Sequence, residues 1–252
     1  MSIVSLIDRM ETMLGDMASD DPLRFFHGTY TRTTKAVAAE LSRGGFADND
    51  WTERWDVAFA DLYLEALATW QSGGRPPRPW QIALDACRGP RIRPIGYVLL
   101  GMNAHINYDL PQALLAVITD DEFEDLKLRE LRGSDHVHID GILASRVAAE
   151  DGELKKAEIH GDRTVLDVIL TPFNRLGTKR FLAESRAKVW TNAIELSRAR
   201  RRGRDALSAR LLELELLSEK RVTSLREPGQ VILKLARHGF GVLLQSATAG
   251  GS

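Results

Sequence analysis

The chain has 252 residues, of which 44% are hydrophobic and 27% are charged, and its formal net charge is −1. These values are typical of a globular protein with a sizeable core, and they give no general attraction to nucleic acid or to anionic lipid. The single cysteine, Cys87, excludes an internal disulfide framework and a zinc site with several cysteine ligands.

The sequence carries neither an export pattern nor a membrane-spanning pattern in our interpretation. Charged residues follow the first methionine closely, so no apolar segment of a secretory signal precedes them. The longest apolar stretch, about residues 95–102, is far shorter than the roughly 20 residues that span a bilayer. We therefore predict a cytoplasmic protein with no membrane span.

Apolar residues recur at helical spacing along nearly the whole chain, and no stretch alternates with the period of a strand. The predicted helices cover about residues 3–20, 31–42, 50–71, 80–87, 95–108, 120–131, 135–158, 164–170, 179–202, 205–224 and 230–246. Asp50 or Thr52 is the predicted N-cap of the third helix. The pattern predicts an all-α fold, with a single multi-helix bundle domain over residues 1–246 and a disordered tail at residues 247–252.

The segment from about residue 95 to residue 110 is the predicted centre of the bundle. It is apolar around most of its circumference, as expected for a helix that other helices enclose. Pro111 follows, and we predict that it lies at a kink or in the first turn of the next helix.

The end of this segment carries several hydrogen-bonding side chains beside apolar residues: Asn103, His105, Asn107, Tyr108 and Asp109. Burying such groups costs a few kcal/mol each unless they are paired with one another, with a ligand or with a metal. His105 and Asp109 are four residues apart, as are Asn103 and Asn107, so each pair shares a helix face. We predict that His105 and Asp109 are catalytic and that Asn103, Asn107 and Tyr108 bind a ligand.

A second histidine and aspartate with the same spacing favour a metal centre. His136 and Asp140 are four residues apart, in a segment that also contains Asp135 and His138. Two such helices that face each other offer the nitrogen and carboxylate ligands of zinc, iron or manganese. The predicted cofactor is zinc or another divalent metal, and its predicted ligands are His105, Asp109, His136 and Asp135.

Both pairs also have a structural interpretation. His105 and Asp109 can form a buried hydrogen bond in which the carboxylate fixes the tautomer of the imidazole. The second segment follows Gly133 and several charged residues, so Ser134 or Asp135 can be the N-cap of a solvated helix.

The aromatic helix over residues 50–71 offers a further acid. Asp56 and Tyr63 share a helix face with Phe59, so we expect Asp56 to point inward. A carboxyl group held against aromatic rings has a raised pKa unless it meets a cation or a metal. We predict that Asp56 is a general acid or base and that Tyr63 binds a ligand; a cap or a pair with an arginine is the structural alternative for Asp56.

Other polar residues have simpler interpretations. We interpret His27 as a surface or capping residue and Cys87 as a packed thiol without a histidine partner. The arginines between residues 198 and 204 precede an acidic helix and have no aromatic residues among them, so they predict a solvated helix end and no nucleic-acid site.

Residues 100–111 resemble the L-G-x-N-A-H-I-N-x-D-L-P signature of a bacterial all-helical family of unknown function. The likeness extends upstream within residues 46–63 and downstream to Asp135-His136 and the region of Trp190. The resemblance implies a helical fold and lends no established activity. It marks four site residues: Asp56, His105, Asn107 and Asp109.

A more distant similarity is to the zinc-dependent phospholipase C and P1-type nuclease family, whose His-x-x-x-Asp-x-x-Gln pattern fits residues 105–112. In that family the histidine and the aspartate bind zinc, so the similarity implies metal ligation by His105 and Asp109. The further histidine of that family is absent, since residues 114–116 are Leu, Leu and Ala. The similarity therefore implies one or two metal ions at most.

Three functions are compatible with these patterns. The first is a metal-dependent enzyme, a hydrolase of phosphoester or ester bonds, in which the metal activates a bound water. The second is a metal-free lyase, isomerase or cyclase on an apolar small molecule, with His105 and Asp109 as an acid–base dyad. The third is a non-catalytic helical binding protein in which the polar residues fix helix packing. We expect the first, with a small-molecule substrate, and leave the oligomeric state open.

Overall fold

A computed structural model describes residues 1–157, 172–226 and 239–245 of the chain. The predicted all-α class is confirmed, since the regular structure of these residues is helical throughout. The helices are α1 (Ile3–Asp16), α2 (Leu23–Ser42), α3 (Asn49–Gln71), α4 (Arg78–Arg88), α5 (Pro94–Ala104), α6 (Leu110–Val117), α7 (Asp120–Glu124), α8 (Leu126–Ala157), α9 (Pro172–Arg202) and α10 (Arg204–Arg226), with a π-helical segment (His105–Asp109) between α5 and α6. Within the described ranges, no helix is long and apolar enough to cross a membrane.

The start of α3 is set by a residue just upstream of the predicted caps. The N-cap is Asp48, whose side chain accepts the backbone N–H of Trp51 at 2.9 Å. Asp50 and Thr52, the predicted caps, therefore lie inside the helix.

α2 begins at Leu23, and not near residue 31 as predicted. The side chain of Asp21 accepts the N–H of Leu23 and so satisfies one of the free donors of the first turn. The helix then continues through Gly28, a residue that weakens helices but is buried here. His27 consequently lies inside the bundle, where its ring nitrogens bond to the hydroxyl of Tyr63 and to a backbone carbonyl of α1. Its interpretation as a surface or capping residue is wrong.

The central segment is not the single helix predicted over residues 95–108. α5 ends at Ala104, and in the π-helical segment the N–H of Leu110 donates to the carbonyl of His105. Because a π turn contains one more residue than an α turn in each hydrogen-bonded ring, it rotates the side chains that follow about the helix axis. Pro111 lies in the first turn of α6, as predicted, where a missing N–H has no cost.

The π-helical segment lies between two apolar cores, which confirms the central position predicted for it. One core contains Trp55 of α3 and Leu110 of α6 and extends to α9 and α10. The other contains Trp80 of α4 and Leu100 of α5 and extends to α1 and α2. Polar side chains of the segment are therefore enclosed by apolar ones on both sides.

The region of His136 is not the start of a helix. α8 runs through Gly133, which packs against the ring of Trp190. Asp135 and His136 are both buried. The interpretation of Ser134 or Asp135 as the N-cap of a solvated helix is therefore wrong.

Residues 239–245 are not helical, although the periodicity predicts a helix over residues 230–246. Their backbone groups bond to buried asparagine side chains, which replace the hydrogen bonds of a helix. The predicted tail at residues 247–252 and the predicted helix at residues 164–170 lie outside the described residues. The single domain over residues 1–246 also includes such residues and stays a prediction.

Candidate functional site

The centre of the site is a hydrogen-bonded pair at the two ends of the π-helical segment. Nδ1 of His105 lies 2.8 Å from Oδ2 of Asp109, and both side chains are almost fully buried. The indole N–H of Trp80 donates to the same oxygen at 2.7 Å. An indole N–H only donates, so Oδ2 accepts from Trp80, and the same oxygen is the hydrogen-bond partner of Nδ1 of His105.

Aromatic rings surround the imidazole of His105. Phe59 stacks on it, with ring centroids 3.6 Å apart and planes 5° apart, and Tyr30 meets it edge-on at 4.5 Å. Three further rings have centroids 5.8 to 6.1 Å from that of the imidazole: Phe26, Tyr63 and Trp80. Nε2 of His105 is buried among these rings and has no hydrogen-bond partner. A buried nitrogen of this kind is unusual and points to a bound group or a chemical role.

Burial controls the charge of the pair. It lowers the pKa of His105 well below the ordinary value, so the imidazole is neutral at neutral pH. Burial also raises the pKa of Asp109, and the hydrogen bond from Trp80 opposes that rise. The pair therefore contains a neutral imidazole, which is the form that can accept a proton.

Tyr30 lies between this pair and a second buried cluster. Burial, together with the charges of Asp56 and Asp109, raises the pKa of Tyr30 well above its ordinary value. The hydroxyl is buried beside that of Thr34, whose interaction with it opposes the rise. Tyr30 therefore keeps its proton at neutral pH.

The second cluster contains Asp56 and His136. Burial raises the pKa of Asp56 to about 7, and the positive charge of Arg186 opposes that rise. Arg186 also donates to the backbone carbonyl of His136 and lies over the ring of Trp55, 5.7 Å from its centroid. Burial and the charge of Arg186 lower the pKa of His136. Oδ2 of Asp56 and Nε2 of His136 are buried without hydrogen-bond partners.

The predicted ligand-binding residues have internal partners. Asn103 and Asn107 donate to the backbone carbonyl of Phe240. The hydroxyl of Tyr63 bonds to a histidine of α2, while its ring remains beside the imidazole of the central pair. Tyr108 is half-buried, and burial raises its pKa to about 12.

The four predicted metal ligands do not surround a common point. His105 and Asp109 bond to each other, whereas Asp135 accepts two backbone N–H groups of the loop before α3, at 2.7 and 2.9 Å. His136 lies beside two tryptophan rings. Across the described ranges, no group of three or more His, Cys, Asp or Glu side chains is placed to hold a metal ion. A zinc or other divalent ion stays a prediction, and the four residues do not fit together around one.

Asp56 and His136 lie in one cluster, which Tyr30 links to the pair on the π-helical segment. His138 is nearer the surface and bonds to a glutamate of α2 at 3.2 Å. The side chain of Asp140 lies outside the described residues.

The sequence pattern does not reveal the residues that hold the pair in place. Trp80 reaches Asp109 from another helix, across 29 positions of sequence. Tyr30 lies in the part of α2 that precedes the predicted start of that helix, and Arg186 is remote from the acid that it faces. The one sequence signal for these surroundings is the aromatic composition of α3, whose aromatic side chains do point inward.

A small cavity lies beside the aromatic rings. Its volume is about 10 Å³, room for one water molecule, and its lining includes Phe26, Trp80, Cys87 and Gly101. The ring of Phe26 packs directly on Gly101, where any Cβ would collide with it. Burial raises the pKa of Cys87 to about 12, in keeping with a packed thiol. Phe26 thus contacts both the cavity and the imidazole.

The fold and the site define an all-α bundle with a buried histidine–aspartate pair at its centre. Residues 3–228 match a family described as a family of unknown function (DUF5995), and the chain belongs to that family. The predicted membership of an uncharacterised family is thereby confirmed. No curated protein and no solved structure matches the chain.

Proposed function

We propose that this protein is an enzyme that transfers a proton within a small, largely apolar molecule, as a lyase, isomerase or cyclase does, with His105 as the base. The observation that carries the proposal is the geometry of its imidazole: Nδ1 bonds to Asp109, and Nε2 is buried without a partner. A neutral histidine oriented by a carboxyl group is the usual arrangement of a general base.

Each side chain around the imidazole has a part in the proposed reaction. Nδ1 of His105 holds the proton that it shares with Asp109, and Nε2 takes a proton from the substrate and returns it at another atom. Asp109, itself held by Trp80, orients the ring and stabilises the positive charge that develops on it. The hydroxyl of Tyr30 donates a hydrogen bond to an oxygen of the substrate. The surrounding rings exclude water and favour an apolar substrate, which enters when these rings move apart, because the cavity beside them holds only one water molecule.

Asp56 is the proposed second acid of the site. With a pKa of about 7, its carboxyl group is partly protonated at neutral pH, as an efficient general acid requires. Its charge acts on Tyr30, so the protonation of Asp56 tunes the donor that faces the substrate.

Deuterium incorporation tests the proposal with a panel of candidate substrates. Apolar small molecules that carry a carbonyl or hydroxyl group are screened for binding by thermal shift, and the binders are incubated with the enzyme in D₂O. We expect at least one binder to acquire deuterium at carbon with the wild-type protein and not with His105→Gln. His136→Gln is the matched control, since it alters a buried histidine of the other cluster. Binders that never exchange, and that stabilise all three proteins equally, would leave a helical binding protein as the better conclusion.

A metal-dependent hydrolase is the second candidate, and one observation favours it. A carboxyl group behind Nδ1 with Nε2 directed away is also the arrangement that supports a metal-bound histidine. Metal analysis of untagged protein decides the matter: one equivalent of a divalent ion that His105→Ala removes supports this candidate, and less than one equivalent overturns it.

A further inference from the structure

The C-terminal part of the described chain is a strap (residues 239–245) that lies against the π-helical segment, α9 and α10. It buries alternate side chains, those of Phe240, Val242 and Leu244, while Leu243 between them is 47% exposed. Gly241 lies so close to α9 that a Cβ there would be 2.9 Å from a backbone atom of that helix. The strap is therefore fitted closely to its groove.

One end of the strap is bonded to the π-helical segment itself. Asn107 donates to the carbonyl of Phe240 at 3.0 Å and accepts the N–H of Val242 at 3.0 Å. Asn103, at the end of α5, donates to the same carbonyl at 3.3 Å. Both asparagine side chains are fully buried, so these bonds use polar groups that water does not reach.

The other end of the strap is bonded to α9 in the same manner. Asn192 donates to the carbonyl of Val242 at 3.0 Å and accepts the N–H of Leu244 at 2.8 Å. At the first residue of the strap, Arg221 of α10 donates to the carbonyl of Gly239 at 2.7 Å. The asparagine side chains bond to backbone groups of the strap. They supply the hydrogen bonds that a neighbouring strand would supply in a sheet.

The strap therefore bonds to the same five-residue segment, His105–Asp109, that carries the histidine–aspartate pair. Asn107 lies between His105 and Asp109 in sequence, and its side chain is directed at the strap while theirs are directed at α3 and α4. Residues two apart on a helical turn point to nearly opposite sides, so Asn107 can bind the strap while His105 and Asp109 face α3 and α4. Without the strap, Asn107 would lose a buried donor bond and a buried acceptor bond, and both groups would be left unsatisfied inside the bundle.

We propose that the strap is a positioning element of the histidine–aspartate pair: by binding Asn107 it holds residues 105–109 in the observed π-helical form, in which Nδ1 of His105 lies on Asp109. The role of this geometry in catalysis rests on the proposed function, whereas the geometric coupling itself does not. Asn107 and the strap thus act through the pair and do not contact the substrate.

The test loosens the strap at its far end and observes the pair. Asn192→Ala removes the two bonds to α9, and Gly241→Ala forces the strap away from that helix; neither touches residues 105–109. We expect hydrogen exchange at the amides of Val242 and Leu244 to accelerate about 10-fold or more. We expect the amide of Leu110, which closes the π turn, to accelerate with them, and the ring resonances of His105 to shift in the nitrogen-detected NMR spectrum.

Leu6→Ala is the control, because it removes a buried side chain of α1 and lowers stability without touching the strap. In this variant the ring resonances of His105 should stay unchanged. If either strap variant frees Val242 and Leu244 while Leu110 and the His105 ring behave as in the control, the positioning role is refuted. Because the readouts are exchange and spectroscopy, that result would leave the proposed function standing, and failure of the deuterium experiment would leave the positioning role standing.

Discussion

The described part of the chain contains two buried clusters, one in which a histidine and an aspartate bond to each other and one in which they share the charge of an arginine. In the first, on the π-helical segment, the histidine and the aspartate bond to each other, and Trp80 bonds to the same carboxylate oxygen. In the second, Asp56 and His136 each leave an oxygen or nitrogen without a partner, and Arg186 supplies a positive charge to both.

The difference shows which cluster is rigid and which responds to pH. A carboxyl group that two donors hold is expensive to remove, because the donors are then buried without acceptors. A carboxyl group with an unpartnered oxygen and a pKa of about 7 gains a charge near neutral pH at a cost to the folded state. The side chains of the first cluster are therefore held in fixed positions, as a catalytic pair requires. In the second cluster the charge of Asp56 changes with pH near neutrality.

The largest expected effect comes from removing the shared acceptor of the first cluster. Asp109→Ala leaves the N–H groups of Trp80 and His105 buried without an acceptor, so we expect the free energy of unfolding to fall by about 3–5 kcal/mol. Urea denaturation at neutral pH measures it. The matched control is Trp80→Phe, which removes one donor and keeps most of the aromatic packing, with an expected loss of about 1–3 kcal/mol. Equal losses in the two variants would show that Oδ2 does not hold both groups.

The next effect is a pH dependence set by Asp56. Its pKa is raised from 3.8 to about 7 on folding, so between these values the native state holds a proton that the unfolded chain has lost. Stability from this group is therefore full below about pH 4 and is lost as pH rises to about 7, by on the order of 3–4 kcal/mol.

Asp56→Asn removes that titration. Relative to wild type, we expect the variant to be close to neutral at about pH 4 and progressively more stable toward about pH 8, by up to the loss that Asp56 causes. Urea denaturation across this range gives the difference curve. A curve that is flat, or that slopes the other way, would mean that Arg186 compensates the ionised carboxylate fully.

The smallest effect separates the two histidines. Burial lowers the pKa of both histidines. As the pH falls below about 6.5, the unfolded chain binds protons that the folded state does not, so each buried histidine lowers the free energy of unfolding. His136→Phe removes an unpartnered nitrogen and this titration, and we expect it to be neutral or stabilising by about 1 kcal/mol at about pH 5.5. His105→Phe also removes a donor to Asp109, and we expect a net loss. Thermal unfolding at two pH values compares them, and the same sign for both would erase the contrast between the clusters.

The sequence predicts the part of this architecture that depends on local spacing. Helical periodicity predicts the all-α class and the enclosed central segment, and the four-residue spacing predicts that His105 and Asp109 meet. The inward direction of Asp56 follows from its aromatic neighbours on α3. These features depend on contacts within one helix.

The remainder depends on contacts between distant parts of the chain. Asp109 and Asn107 of the π turn bond to partners on different sides, and neither Trp80 nor Phe240 is near them in sequence. The same holds for the strap, whose apolar residues predict a helix although buried asparagines supply its hydrogen bonds. Asp135 resembles a metal ligand in the sequence, because the neighbouring residues do not show that its carboxylate accepts two backbone N–H groups of a distant loop.

The central claim is that His105 is a neutral base with Nδ1 held by Asp109 and Nε2 free. Side-chain nitrogen NMR of the histidines, with His105→Phe for assignment, tests it directly over about pH 5 to about pH 8. We predict a proton on Nδ1, none on Nε2, and no titration of His105 near its ordinary pKa. A His105 that titrates near its ordinary pKa, or that carries its proton on Nε2 at neutral pH, would contradict it.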